Sequence, residues 1–136
     1  MPIEFHFDIS KFNLPQNSIK KWIEKCIVFY NFKLGDINII FIPIKDMIYL
    51  NNKYLNHNYV TDILTFNYNN KSIISGDIYI CVEQVKINAV EYNVAFVNEI
   101  KRVIIHGILH LIGFDDVNSN LRVTMRKEED YWLKKF

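Results

Sequence analysis

The run HGILHLIGFDD, His106 to Asp116, holds the residues best placed to do chemistry. His106 and His110 stand four apart, the separation that stacks two side chains on one face of a helix. At that separation two imidazoles can reach one tetrahedral cation. Gly113 then lets the chain turn back, because φ > 0 costs glycine little. Asp115 and Asp116 follow within reach of the same face. A carboxylate from either would complete a set of two histidines and one acid, with a fourth position open to water. That is the composition of a catalytic zinc site, since structural sites are usually closed by four protein ligands. The competing reading is a pair of packed histidines with ordinary hydrogen bonds. Against it, the apolar segment VIIHGILHLIG would gain more from leucine at both places.

In the HExxH metalloproteases the residue after the first histidine is the glutamate that serves as general base. Here it is Gly107, which supplies no base and costs ~1 kcal/mol relative to alanine inside a helix. Either a substrate or another backbone passes close to it, or packing demands it. Peptide hydrolysis is disfavoured. A base would have to come from elsewhere in the chain or from a phosphate of the substrate.

The elements that must hold this run are readable from periodicity. Ile3 to Ile9 alternates apolar and polar residues, the mark of a half-buried strand. Pro15 and Ser18 open a helix with Ile19, Trp22, Ile23, Cys26 and Ile27 on one face. Ile37 to Ile42 is a short β-branched run bounded by Gly35-Asp36 and Pro43, hence a buried strand. Asp46 is expected to cap the next helix, with Met47, Leu50 and Tyr54 inward. Thr61–Phe66 and Gly76–Val82 read as strands joined by an Asn-rich loop. Three helices complete the chain. The first is Glu83–Tyr92, with Val85, Ala89 and Tyr92 inward, and the second runs from about Val97 through His110. The third spans about Asn120–Lys134, with Leu121, Met125 and Trp132 inward. The order β-α-β-α-β-β-α-α-α predicts one α+β domain over residues 1–136. It would contain a mostly four-stranded mixed sheet and about five helices, with the histidine pair on a helix of the C-terminal half.

Composition narrows the function classes. The 136 residues include 10 Phe and 8 Tyr, enough apolar material for a core without disulfides. Cys26 and Cys81 form no CxxC pair and read as buried, reduced thiols of a cytoplasmic protein. No apolar run reaches a membrane span, and MPIEFHFDIS lacks the features of a signal peptide. A net charge of +1 argues against tight gripping of free nucleic acid by charge alone. The groups Lys20, Lys21, Lys25 and Arg122, Arg126, Lys127 read as solvated helix faces. The sequence carries no signal for an oligomeric state.

HGILHLIGFDD resembles the HGxLHLxGxDH signature of the YbeY family of bacterial metal-dependent, single-strand endoribonucleases, the rRNA maturation factors. Leu50–Phe66, LNNKYLNHNYVTDILTF, is similar to the family's LNxxYRxxxxPTDVLSF block, and Ser75–Ile80, SGDIYI, to its GDIxI strand. Glu99 matches a common family glutamate, and Met125–Glu129, MRKEE, falls where the last helix carries Met and Glu. The likeness runs in order from about residue 37 to about residue 133.

That resemblance implies that His106 and His110 are the first two metal ligands and act in catalysis with a metal-bound water. Asp116 stands where the family usually has a third histidine, with Asp115 as the alternative third ligand. It implies one Zn²⁺ per chain, or another divalent ion. The implied substrate is ribosomal RNA, in maturation of the small-subunit 3′ end and in ribosome quality control. The implied partners are the small ribosomal subunit or its assembly proteins, and no membrane. Leu55 departs from the pattern, which often has a phosphate-holding arginine there. His57, Arg102 and Lys101 are the substitutes at hand, and the plain reading of His57 is a surface loop residue. Val60 replaces the family proline, and Thr61 and Asp62 are expected to pin the strand edge. Two other functions stay open. One is a zinc hydrolase of peptides or small molecules, and the other a ribosome-assembly binding module whose metal is structural.

Overall fold

The computed structural model describes residues 2–136. Its elements follow the expected order: β1 Ile3–Phe7, α1 Gln16–Phe29, β2 Lys33–Ile42, α2 Ile44–Leu55, β3 Ile63–Asn67, β4 Ile73–Cys81, α3 Val82–Glu91, α4 Phe96–Ile112 and α5 Ser119–Lys134. The four strands form one mixed sheet in the order β1-β2-β4-β3. β1 and β4 run parallel to β2, and β3 pairs antiparallel with β4. The fold is α+β, as periodicity predicts.

Alternation along the strands puts Ile37, Ile39, Phe41, Ile74, Ile78 and Ile80 on one sheet face, all essentially buried. Against that face pack Ile19, Ile23 and Ile27 of α1 and the apolar residues of α4. A smaller cluster of Ile42, Met47, Leu64 and Cys81 lies where α2 packs. Both cysteines are buried free thiols. No helix among the described residues is long and apolar enough to cross a membrane.

Local details differ from the sequence reading for physical reasons. β2 begins at Lys33, and the Gly35-Asp36 pair expected to bound it instead sits within it as a register shift between Leu34 and Ile37. There the Ser75 hydroxyl accepts from the Asp36 amide, so the ladder resumes past the irregularity. Asp46 is not the cap of α2. Pro43 holds that place, and Asp46 lies in the first turn, where its charge still suits the helix dipole. Tyr54, Tyr92 and Leu121 are exposed, not inward. The buried polar residue of α2 is Asn51, whose amide donates to the Tyr59 carbonyl and the Thr61 hydroxyl and so ties down the chain entering β3.

Candidate metal centre

α4 carries the histidines because it is the central helix. Ile100, Val103, Ile104, Ile105, Ile108, Leu109 and Leu111 are buried around it. Gly107 is explained by packing. A Cβ there would lie 2.8 Å from Ile63 Cδ1 and 3.1 Å from Ile78 Cγ2, so α4 sits directly on the strands. Position 107 therefore faces the sheet, and the helix turns His106 and His110 toward the open side. The two rings have centroids 4.5 Å apart at an interplanar angle of 81°. α4 ends at Gly113, φ 126°, whose amide is bonded to the Leu109 and His110 carbonyls.

The returning loop brings Asp116 to the pair. Its Oδ2 is 3.4 Å from His106 Nε2 and 3.5 Å from His110 Nε2. One donor atom from each of the three lies within 4.8 Å of the others. Two donors bound at about 2.0–2.1 Å to one tetrahedral ion stand about 3.3–3.4 Å apart, so the observed spacings fit a zinc-sized cation. The Asp115 Oδ1 accepts the Asp116 amide at 2.7 Å. The Asn118 side chain then accepts the Leu121 amide and caps α5.

α5 supports the site from behind. Glu129, only 4 % exposed, places Oε2 at 2.6 Å from His106 Nδ1 and Oε1 at 2.8 Å from Arg102 Nη1. Burial raises the Glu129 pKa, but the hydrogen bonds from His106 and Arg102 outweigh it and hold the carboxyl below its ordinary range. An ionised carboxylate only accepts, so His106 donates from Nδ1, and Nε2 is the nitrogen that faces Asp116. Burial lowers the His106 pKa too, yet the Glu129 hydrogen bond and charge, with Asp116 and Asp62, leave it raised. His110 goes the other way. Burial and the charge on His106 hold it below its ordinary value, in the neutral form that a cation requires.

His106 and Asp116 lie in the wall of a cleft of about 410 Å³ that also includes Asp62, Glu99, Arg102 and Glu129. Asp62 accepts from the Asn88 amide, and burial raises its pKa. Arg102 is in the cleft, with its guanidinium bonded to Glu129 and Asp130. Lys101 lies with its ammonium over the Phe136 ring. His57 is not among the cleft-lining residues; its ring stacks on Tyr59 at 4.8 Å. Leu55 ends α2, exposed. Sequence reasoning gave Glu129 no task, although an acid between Met125 and Trp132 on an apolar stripe is a readable anomaly. Asn88 carried no signal.

Comparison with known proteins identifies the family of the chain. The sequence model of the family described as Endoribonuclease YbeY matches residues 4–136. A protein named Endoribonuclease YbeY from Azobacteroides pseudotrichonymphae is 44% identical over 115 residues, 85% of this chain and 83% of that one. Another of that name, from Flavobacterium psychrophilum, is 38% identical over 134 residues, 98% of this chain and 96% of that one. The solution structure of a Thermotoga maritima protein superposes with a TM-score of 0.68 at 27% identity, covering 97% of this chain and 87% of that chain. The chain belongs to the Endoribonuclease YbeY family.

Proposed function

We propose that this protein is a metal-dependent endoribonuclease that cuts single-stranded ribosomal RNA in the cytoplasm. It would act in 3′-end maturation of the small-subunit RNA and in ribosome quality control, in contact with that subunit or its assembly proteins. His106, His110 and Asp116 hold one divalent ion, with zinc favoured by the nitrogen-rich donor set. The observation that carries this reading is the approach of Asp116 Oδ2 to both histidine Nε2 atoms, 3.4 and 3.5 Å away, at the edge of an open cleft. A bound ion at such a site supplies Lewis-acid stabilisation of a phosphodiester and acidifies water.

The protein's residues do the remaining work. Glu129 fixes the His106 tautomer, and Arg102 holds Glu129 in place and ionised. Burial keeps His110 neutral. Asp116 in place of a third neutral ligand adds negative charge, which would make water at a bound ion less acidic than three histidines would. A peptidase reading loses ground because position 107 faces the sheet, where no side chain could act on a water in the cleft.

The test is cleavage of labelled single-stranded RNA, with a duplex of the same sequence as control, by zinc-loaded protein and by His110→Ala. Cleavage of the single strand alone, lost in the variant while the fold persists, is the expected result. A folded, zinc-loaded protein that cuts neither RNA would instead favour a ribosome-assembly binding module, for which the exposed Leu55 speaks. Peptide or ester cleavage without RNA cleavage would favour the other hydrolase class.

A further inference from the structure

The guanidinium groups around the cleft are not equivalent. Arg102 is committed: Nη1 donates to Glu129 at 2.8 Å and Nη2 to Asp130 at 2.7 Å, and its side chain is 22% exposed. Turning it toward a ligand would release Glu129 and, with it, His106. Arg122 and Arg126 also line the cleft, one helical turn apart on α5. Arg126 is 55% exposed, and its nearest carboxylate oxygen, Glu129 Oε1, is 3.6 Å away and already taken by Arg102. Arg122 makes a single long contact, Nη1 to the Asp116 carbonyl at 3.4 Å. Each guanidinium has five N–H donors, so most of those on this pair are free for a ligand.

The ligand class follows from the chemistry of the walls. Paired planar donors about 6 Å apart along a helix suit anionic oxygens repeated along a chain. Tyr92, 55% exposed, lines the same cleft and offers a face on which a base can stack.

We infer that Arg122 and Arg126 form a clamp for the backbone phosphates of single-stranded RNA beside the metal triad. This rests on the endoribonuclease reading. The clamp positions the strand, with Arg122 tied through the Asp116 carbonyl to the loop that presents the third donor. Arg102 is left to orient Glu129.

The test is salt-dependent binding of a short, fluorescein-labelled 2′-O-methyl oligoribonucleotide, read by anisotropy on zinc-loaded protein. Wild type is compared with Arg122→Gln/Arg126→Gln and with Arg122→Lys/Arg126→Lys. Each phosphate contact on a single strand contributes about 0.7 to the slope of log K against log salt. The glutamine pair is therefore expected to bind on the order of 10-fold or more weakly, with the slope reduced by about 1.4. The lysine pair should keep the slope, and zinc content should be unchanged in both. Wild type that binds, with the same slope in the glutamine pair, overturns the clamp alone. Wild type that fails to bind the oligonucleotide overturns the endoribonuclease reading and the clamp together.

Discussion

Glu129 Oε2 lies 2.6 Å from His106 Nδ1, joining two helices across 23 residues of sequence. The contact ties the last helix to the donor face of α4 and sets which imidazole nitrogen is free. Glu129→Gln keeps the shape but removes the charge that favours Nδ1–H and leaves Arg102 short of a partner. Zinc affinity, measured by competition with a chromophoric chelator, is expected to fall roughly 10–100-fold. Unchanged affinity would show that the contact serves packing alone.

Gly107 makes a separate prediction about shape. Gly107→Ala gains ~1 kcal/mol of helix propensity but forces a methyl to 2.8 Å from Ile63 Cδ1. Overpacking of this kind costs about 1–3 kcal/mol, so urea denaturation should show a modest net loss of stability. Gly107→Glu, which recreates HExxH, should lose more than ~3 kcal/mol by burying a charge against the sheet, and should gain no peptidase activity. A stable, active peptidase would contradict the orientation described for α4.

How much of this was legible in the sequence depends on the range of the interaction. The helical pair His106 and His110 is a local repeat, and Gly113 announces the turn after it, so both can be read directly. Asp115 and Asp116 are adjacent and chemically identical, and residue spacing alone could not separate them. What distinguishes their positions is a turn in which Asp115 accepts the Asp116 amide. Glu129 and Asn51 act through partners fixed only by tertiary packing. Tyr54, Tyr92 and Leu121 are exposed although their spacing continues an apolar stripe, because each sits at or near a helix end, where the stripe runs past the surface it covers. The strand order was not legible, since it depends on which edges meet.

Glu99 predicts a pH dependence of stability. It is 5% exposed, and burial raises its carboxyl pKa, against the opposing charge of Arg102. With the folded value above the unfolded one, the fold favours the protonated acid. That contribution is full below the ordinary value near 4.5 and is lost as pH rises through the folded value. At neutral pH the ionised side chain is a net cost. Glu99→Gln should therefore melt higher than wild type at pH 7, with the difference shrinking toward pH 4. Thermal melts of both proteins across that range check the sign, and a lower melting temperature for the variant at pH 7 would reverse it.

The cysteines give a simple control on the core. Cys26 is fully buried, and burial, then the charge of Glu128, pushes its thiol pKa well above the ordinary range. Cys81 is also fully buried, with a raised pKa. Neither thiol should react with an aromatic disulfide reagent in the native protein, and both should react on unfolding. Rapid labelling in the absence of denaturant would mean that the sheet opens far more readily than its packing implies.

The most direct measurement is metal content by plasma mass spectrometry on gently purified protein and on Asp116→Ala and Asp115→Ala. About one equivalent of zinc in the wild type and in Asp115→Ala, with a sharp loss in Asp116→Ala, is the expected result. No metal in the wild type even after zinc is supplied, or equal metal in all three proteins, would contradict the assignment of His106, His110 and Asp116 as the catalytic metal centre.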